Sequence, residues 1–329
     1  MKIVIPDDFP PVYQDQPELG RLRELGETVV HGTKAASEDE LIERLRGAEV
    51  AINVRAYSTF NERVVAALPD LRLVSILGTG TDNFDLPACS RHGVVVTNTP
   101  GASTTSVAEL TIALLLAVAR HVALTDRKVR EGVWYHRLGF ELRGKVLGVV
   151  GLGLIGSEVA RIGKAFGMGV IAWSFRNDPA RAAALGVKMV GLDDLLRRAD
   201  AVTIHVRNSA EARGLVGRRE IDLMKPSAVL INTARAAVVD QDALLDALRE
   251  GRIAGAGLDV YLQEPLPADN PWVRLDNVVL TPHVGWVTHE ASARLAAAPV
   301  DNVVSYLAGS PTNVVNPAAL EHPKQRGRG

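Results

Sequence analysis

One short stretch limits the fold of this chain more than any other. Gly151-Leu-Gly-Leu-Ile-Gly156 directly follows the apolar run Lys145–Val150 and opens a helical pattern, Ser157 to Phe166, that ends at Gly167. A glycine-rich loop alone is common. Set between a strand and a helix, with a second strand beyond, this spacing has a mechanism. Gly151 allows a tight turn, Gly153 lets the backbone approach a pyrophosphate, and Gly156 lets the helix lie close to the sheet. The helix start then offers unpaired N–H groups and a partial positive charge to phosphate. The stretch predicts a Rossmann-type parallel sheet that binds a dinucleotide.

The same fingerprint expects a carboxylate at the end of the second strand, where it accepts from the ribose 2′-OH of NAD. Counting from the glycines, that position is Ser174, followed by Phe175 and Arg176. Without the carboxylate a 2′-phosphate meets no repulsion, and Arg176 can pair with one. The expected cofactor is NAD or NADP, leaning to NADP.

Around this loop the chain alternates strand-like and helix-like segments. The runs Lys145–Val150, Val170–Ser174, Ala201–Val206, Ala228–Thr233, Ala256–Val260 and Val278–Thr281 are continuously or nearly apolar, as strands buried on both faces should be. An earlier series lies at Lys2–Ile5, Thr28–Val30, Val50–Val54, Leu71–Leu77 and Val94–Thr97. Ser37-Glu-Asp-Glu40 is a capping-box signature ahead of Leu41, and Asn61 can cap the helix carrying Val64, Val65 and Leu68. Two such series in 329 residues, at ~100–200 residues per domain, predict two parallel-sheet α/β domains. The expected arrangement inserts a Rossmann-type dinucleotide-binding domain, 101–287, into a flavodoxin-like substrate domain made of 1–100 and 288–329. The crossing falls in Ser103 to Glu131, read as one long helix. Its first half is apolar nearly all round, fit to be buried against a core, between domains or between subunits. A late helix, Thr288–Leu307, contains Pro299, which should kink or split it.

Composition narrows the class. The formal net charge of −1 gives no electrostatic footprint for nucleic acid or an anionic membrane. The clearly basic stretch is the tail Lys324–Arg328, read as a solvated end. The apolar run Leu110–Ala119 is about half the ~20 residues that a bilayer span needs. Met1–Pro6 lacks the apolar core of a signal peptide, and Cys89, the one cysteine, excludes an internal disulfide. A cytoplasmic protein is expected, working on a small molecule and calling for no metal.

Three segments end predicted strands of the second series, at the sheet edge where ligands of open α/β sheets bind. They are Ile231-Asn-Thr-Ala-Arg235, Leu258-Asp-Val-Tyr-Leu-Gln-Glu264 and Leu280-Thr-Pro-His283-Val-Gly285. Interconversion of a 2-oxo acid and a 2-hydroxy acid needs a cation for the carboxylate and carbonyl, and an acid/base for the hydroxyl proton. It also needs a group that keeps this acid protonated. Arg235 has the planar fork that matches a 2-oxo carboxylate. His283 suits the acid/base role, because an imidazole can give and take a proton near neutral pH, and Glu264 hydrogen-bonded to it would favour the imidazolium. Asp259 can accept from a nicotinamide carboxamide.

Taken in order, these segments resemble the D-isomer-specific 2-hydroxyacid dehydrogenases. The likeness runs over nearly the whole chain and includes Leu77-Gly-Thr-Gly-Thr-Asp-Asn83, Asn98-Thr-Pro-Gly101, Val107-Ala-Glu109 and Gly144-Lys145. It implies the catalytic roles of Arg235, Glu264 and His283, a nicotinamide contact at Asp259, and cofactor contacts at Leu154, Ile155, Ser174, Val206, Thr233 and Gly285. It also implies that backbone N–H groups at Thr79 and Gly80 hold the substrate carboxylate, that Arg55 helps bind substrate, that the product has the D configuration, and that the protein is a dimer. Three positions depart from the family pattern: Ser174 replaces an aspartate, His205-Val-Arg-Asn208 lacks a proline, and Ala236 replaces a glycine. The alternative class is an NAD(H)-sensing protein, similar to corepressors that resemble this family, which binds the dinucleotide without significant turnover.

Overall fold

The computed structural model describes residues 1–9, 11–14, 16–54 and 57–321. Arg55 and the basic tail lie outside the described residues. The chain forms two compact units, one of residues 1–103 joined by the segment from Thr288 onward, the other of Thr104–Val287.

In the first unit the strands are β1 (Lys2–Ile5), β2 (Glu27–Val30), β3 (Val50–Asn53), β4 (Leu73–Ile76) and β5 (Val95–Thr97). They form one sheet in the order β2-β1-β3-β4-β5, with every pair parallel. This is the flavodoxin-like order, and the expected fold class is present. The helices between strands start where their caps dictate. Ser37 Oγ accepts from Glu40 N–H at 3.2 Å, and Asn61 Oδ1 accepts from Val64 N–H at 3.0 Å. Glu40 reaches one residue further back than a standard capping box, accepting from Ala36 N–H at 2.7 Å.

The returning C-terminal segment is joined to this unit by buried amides. Asn302, 1% exposed, donates to Asn98 O at 2.9 Å and accepts from Asn313 Nδ2 at 2.9 Å. Asn316 Oδ1 accepts from Val96 N–H at 2.8 Å, and Val315 N–H donates to Val96 O at 2.9 Å beside β5. Pro299 does not split the late helix, which runs unbroken from His289 to Leu307. Its loss of one intrahelical bond is offset by burial of Leu295, Ala296, Val300 and Val303. Two side chains also fix that turn: Tyr13 Oη donates to Ala296 O, and Ser75 Oγ to Pro299 O, each at 3.1 Å.

In the second unit the strands are β6 (Val146–Val150), β7 (Gly169–Trp173), β8 (Lys188–Met189), β9 (Ala201–Ile204), β10 (Val229–Asn232), β11 (Gly255–Leu258) and β12 (Val278–Leu280). Their order is β12-β11-β10-β9-β6-β7-β8, again all parallel. Counted from β6, this is the Rossmann order extended by one strand, with its switch point between β6 and β9. Alternate residues enter two separate cores. Val202, Ile204 and Leu230 face one, while Leu147, Val149, Val229 and Ile231 face the other. Both faces are covered, which explains why the strands read as continuous apolar runs. β8 escaped sequence reading because two residues carry no periodicity.

The expected single helix over Ser103 to Glu131 is instead two, Thr104–Ala119 and Val122–Arg130, bent by 63°. The helix stops because the later chain takes its end: Phe140 N–H donates to Ala119 O at 3.0 Å, and the His121 ring lies 3.1 Å from Leu138 O. His121 turns to the left-handed conformation, φ 54°, between the two. Among the described residues, no single helix is long and apolar enough to cross a membrane.

Replacing Asn302 by Leu leaves the Asn98 carbonyl and the Asn313 amide without that partner. This loss costs about 2–3 kcal/mol and should lower Tm by roughly 5–10 °C in calorimetry. A Tm within a degree of the parent would mean that the amide does not hold the C-terminal segment.

Candidate active site

The glycine loop lies at the switch point of the second sheet. Gly151 has φ +103°, and a Cβ there would stand 2.7 Å from the His205 carbonyl, so no other residue fits without displacing the end of β9. A Cβ on Gly156 would stand 2.0 Å from Gly151 O, which fixes how closely helix Leu154–Ala165 approaches the turn. That helix starts three residues earlier than the sequence reading, with Gly153 as its N-cap and no side chain capping it. A Cβ on Gly153 would meet nothing within 4 Å. An uncapped helix start facing open space fits a pyrophosphate. Buried polar atoms nearby support the fit: Ser157 Oγ in the first turns of the helix and His205 Nε2 beside the loop have no protein partner. Burial holds His205 down to about 3, so it is neutral.

The remaining predicted cofactor residues gather around this loop and the neighbouring strand ends. Leu154 is 56% exposed on the first turn of the helix, with Ile155 beside it, while Val206 is buried against the Gly151 turn. Ser174 Oγ accepts from Leu152 N–H at 2.7 Å, so it touches the loop itself. Arg176 is exposed. Thr233, just after β10, has its Oγ1 2.8 Å from Thr111 Oγ1.

The three catalytic candidates end adjacent strands of this same sheet. His283 Nδ1 is 2.7 Å from Glu264 Oε2, and Glu264 Oε1 accepts from Tyr261 N–H at 3.0 Å. An ionised carboxylate only accepts, so the His283 proton in this bond is on Nδ1. Burial pushes the Glu264 carboxyl up. Hydrogen bonds from His283 and Tyr261, with the charges of His283 and Arg235, outweigh that and hold it below the usual carboxylate range. Arg235 follows β10. Its backbone is held by Asn232, fully buried, which donates to Arg235 O at 3.0 Å and accepts from Ala234 N–H at 3.0 Å. Ala236 is buried at the start of a short 3-10 turn, Ala236–Val238.

Asp259 is 1% exposed, and its carboxylate accepts from Thr281 Oγ1 at 2.6 Å and from the N–H groups of Val284 and Gly285, each at 2.9 Å. It therefore holds the turn that carries His283, which has φ 55°, a left-handed conformation costly for a residue with a Cβ. Tyr261 helps: its hydroxyl lies 2.9 Å from both Leu258 O and Thr281 O. The sequence reading missed Tyr261, Thr281 and Thr111 as positioning residues. The first two sit inside the motif segments, but nothing in their spacing marks them.

Of the expected substrate residues, Arg235 belongs to the second unit, and Thr79 and Gly80 to the first. Thr79 is exposed and Gly80 half-buried just beyond β4, and Thr79 O accepts from Asn98 Nδ2 at 3.0 Å. In the same unit Phe60 is core, stacked on Phe84 at 4.8 Å, whereas Tyr57 is exposed with Lys34 Nζ 3.6 Å over its ring.

A carboxyl depressed in the folded chain adds stability above the usual carboxylate range and loses it as pH falls through its own lowered range. Carbon-detected NMR titration should place Glu264 below that range and move it upward in His283→Ala, where burial is less opposed. An unmoved titration would show that the pair does not form.

The model of the D-isomer specific 2-hydroxyacid dehydrogenase NAD binding domain matches residues 112–285. A glyoxylate reductase of Korarchaeum cryptofilum is 40% identical over 287 residues, 85% of this chain and 86% of that protein. A D-3-phosphoglycerate dehydrogenase of Archaeoglobus fulgidus is 41% identical over 288 residues, 87% of this chain but 54% of that protein, so the chain spans about half of its length. Among solved structures, an acyclic imino acid reductase (Bsp5) in complex with NADPH and D-Arg is 32% identical, with a TM-score of 0.87 over 96% of this chain and 100% of that one. A D-lactate dehydrogenase of Aquifex aeolicus, complexed with NAD and lactic acid, is 30% identical with a TM-score of 0.83 over 96% and 99%. A glycine loop at the switch point, a His–Glu pair on a clamped turn and a match over more than half the chain agree: the protein belongs to the D-isomer-specific 2-hydroxyacid dehydrogenase family.

Proposed function

We propose that this protein is an NAD(P)-dependent dehydrogenase that interconverts a small 2-oxo acid and its D-2-hydroxy acid. The observation that carries this reading is the 2.7 Å pair of His283 and Glu264 on a turn fixed by Asp259, in the same unit as the glycine loop. The named glyoxylate reductases among its relatives support a small substrate.

The cofactor, when bound, gives or takes the hydride. Gly151, Gly153, Leu154, Ile155 and Gly156 would hold its pyrophosphate, Ser174 and Arg176 its adenosine end, and Val206, Thr233, Asp259 and Gly285 the remainder. Arg235 binds the substrate carboxylate and draws electron density toward the carbonyl oxygen. His283 delivers a proton from Nε2 to that oxygen as the hydroxy acid forms, and removes it in the reverse direction. Glu264, held ionised, orients the ring through Nδ1 and stabilises the imidazolium. Substrate contacts at Thr79, Gly80 and Arg55 are carried from the family likeness. Ser174 supplies no carboxylate to accept from a ribose 2′-OH, which favours NADP. We assign the protein to the cytoplasm.

His283→Ala should lower kcat by ~10²–10⁴-fold with glyoxylate or hydroxypyruvate while leaving NAD(P)H affinity nearly intact. A near-normal rate in the variant would remove His283 from the reaction. Dinucleotide binding with no turnover by the parent chain on any 2-oxo acid would instead favour the sensor reading.

The active form is a homodimer joined through the segment after the bent helix pair. Val133, Trp134 and Leu138 are exposed there, Trp134 by 83% and Leu138 by 97%, with Val122 and Val129 close by in sequence. Apolar side chains left so bare on one segment mark a protein contact. Sedimentation velocity should show a dimer that Trp134→Ser with Leu138→Ser dissociates. A parent protein sedimenting as a monomer would overturn this assignment.

A further inference from the structure

We propose that Arg181 selects the cofactor, pairing with the 2′-phosphate of NADP beside the glycine loop; this rests on the cofactor reading given above. The sequence reading placed that role on Arg176. The structure moves it five residues along the chain.

Leu152, between the first two glycines, is held by both of its backbone groups. Its N–H donates to Ser174 Oγ at 2.7 Å, and its carbonyl accepts from Arg181 Nη1 at 3.1 Å. Two side chains from different elements, the residue after β7 and helix Pro179–Leu185, thus meet on one residue of the loop. Arg181 reaches it because of how its helix starts. Asp178 is the N-cap, accepting from Arg181 N–H at 2.9 Å, and side chains in a first helical turn lean back toward the N-terminus.

The chemistry these two side chains offer is one-sided. A ribose 2′-OH is best recognised by an acceptor, and the usual acceptor is a carboxylate. Ser174 Oγ, which accepts from Leu152 N–H, brings no negative charge to repel a 2′-phosphate. Arg181 carries five N–H donors, and its contacts with Leu152 O and Asp178 use two of them. The Asp178 contact is an ion pair at 3.4 Å with both partners more than two-fifths exposed, a class that holds a side chain weakly. The guanidinium is therefore free to engage a doubly charged acceptor through two parallel bonds. Arg176 is exposed and makes no hydrogen bond to the glycine loop among the described residues.

Binding without turnover tests this. Dissociation constants of the full chain for NADPH, NADH, 2′,5′-ADP and 5′-ADP are measured by calorimetry for the parent, Arg181→Ala, Arg181→Lys and Arg176→Ala. Arg181→Ala should weaken NADPH and 2′,5′-ADP by roughly ten- to a hundredfold, the scale of a hydrogen bond to a charged group, with NADH and 5′-ADP little changed. Arg181→Lys should recover part of the loss, and Arg176→Ala should lower the NADPH/NADH ratio less than Arg181→Ala does. Equal weakening of both dinucleotides in Arg181→Ala would make Arg181 a loop clamp only and overturn the proposal. A parent that binds NADH at least as tightly as NADPH would show that the cofactor reading itself has failed, before any variant is compared.

Discussion

One buried carboxylate organises the edge of the second sheet that carries His283. Asp259 gives up nearly all contact with water, and it tolerates this because a hydroxyl and two backbone N–H groups converge on it. The return on that desolvation is geometric. The carboxylate takes the Val284 and Gly285 N–H groups of the turn after β12, and within that turn His283 is kept at a positive φ that its side chain would otherwise avoid. With the turn fixed, the imidazole meets Glu264, which is itself tied to the backbone at Tyr261.

The same device recurs along the sheet. Asn232 closes the turn that presents Arg235, and Ser174 grips the glycine loop at Leu152. Strands buried on both faces supply a rigid apolar platform, and a polar residue at a strand end turns that rigidity into a defined direction for the next side chain. Position also divides the histidines by environment. His283 is 43% exposed beside a carboxylate. His205 has its Nε2 enclosed, and burial keeps it neutral.

The first unit solves a different problem, closing a domain whose chain leaves and returns nearly two hundred residues later. Amides do this where apolar contacts alone would leave register undefined. Asn302 and Asn316 each bond to backbone around β5, so the late helix and the final segment have one seat on the sheet. Buried amides specify a single arrangement because every alternative leaves donors and acceptors unmet.

The sequence by itself determined the two βα series, the glycine loop and the strand-end motifs, because these are written in local periodicity and in residues whose backbone demands are unusual. Gly151 is legible for that reason: its φ admits little else. The family followed from the same residues in their order. Only the tertiary structure decided where the long apolar helix breaks, since Phe140 N–H caps Ala119 across twenty residues that no periodicity links. It alone showed that Asp259 clamps the His283 turn and that Arg181, rather than Arg176, reaches the loop. These facts depend on which hydrogen-bonding groups meet across elements, and a linear pattern holds no record of such meetings.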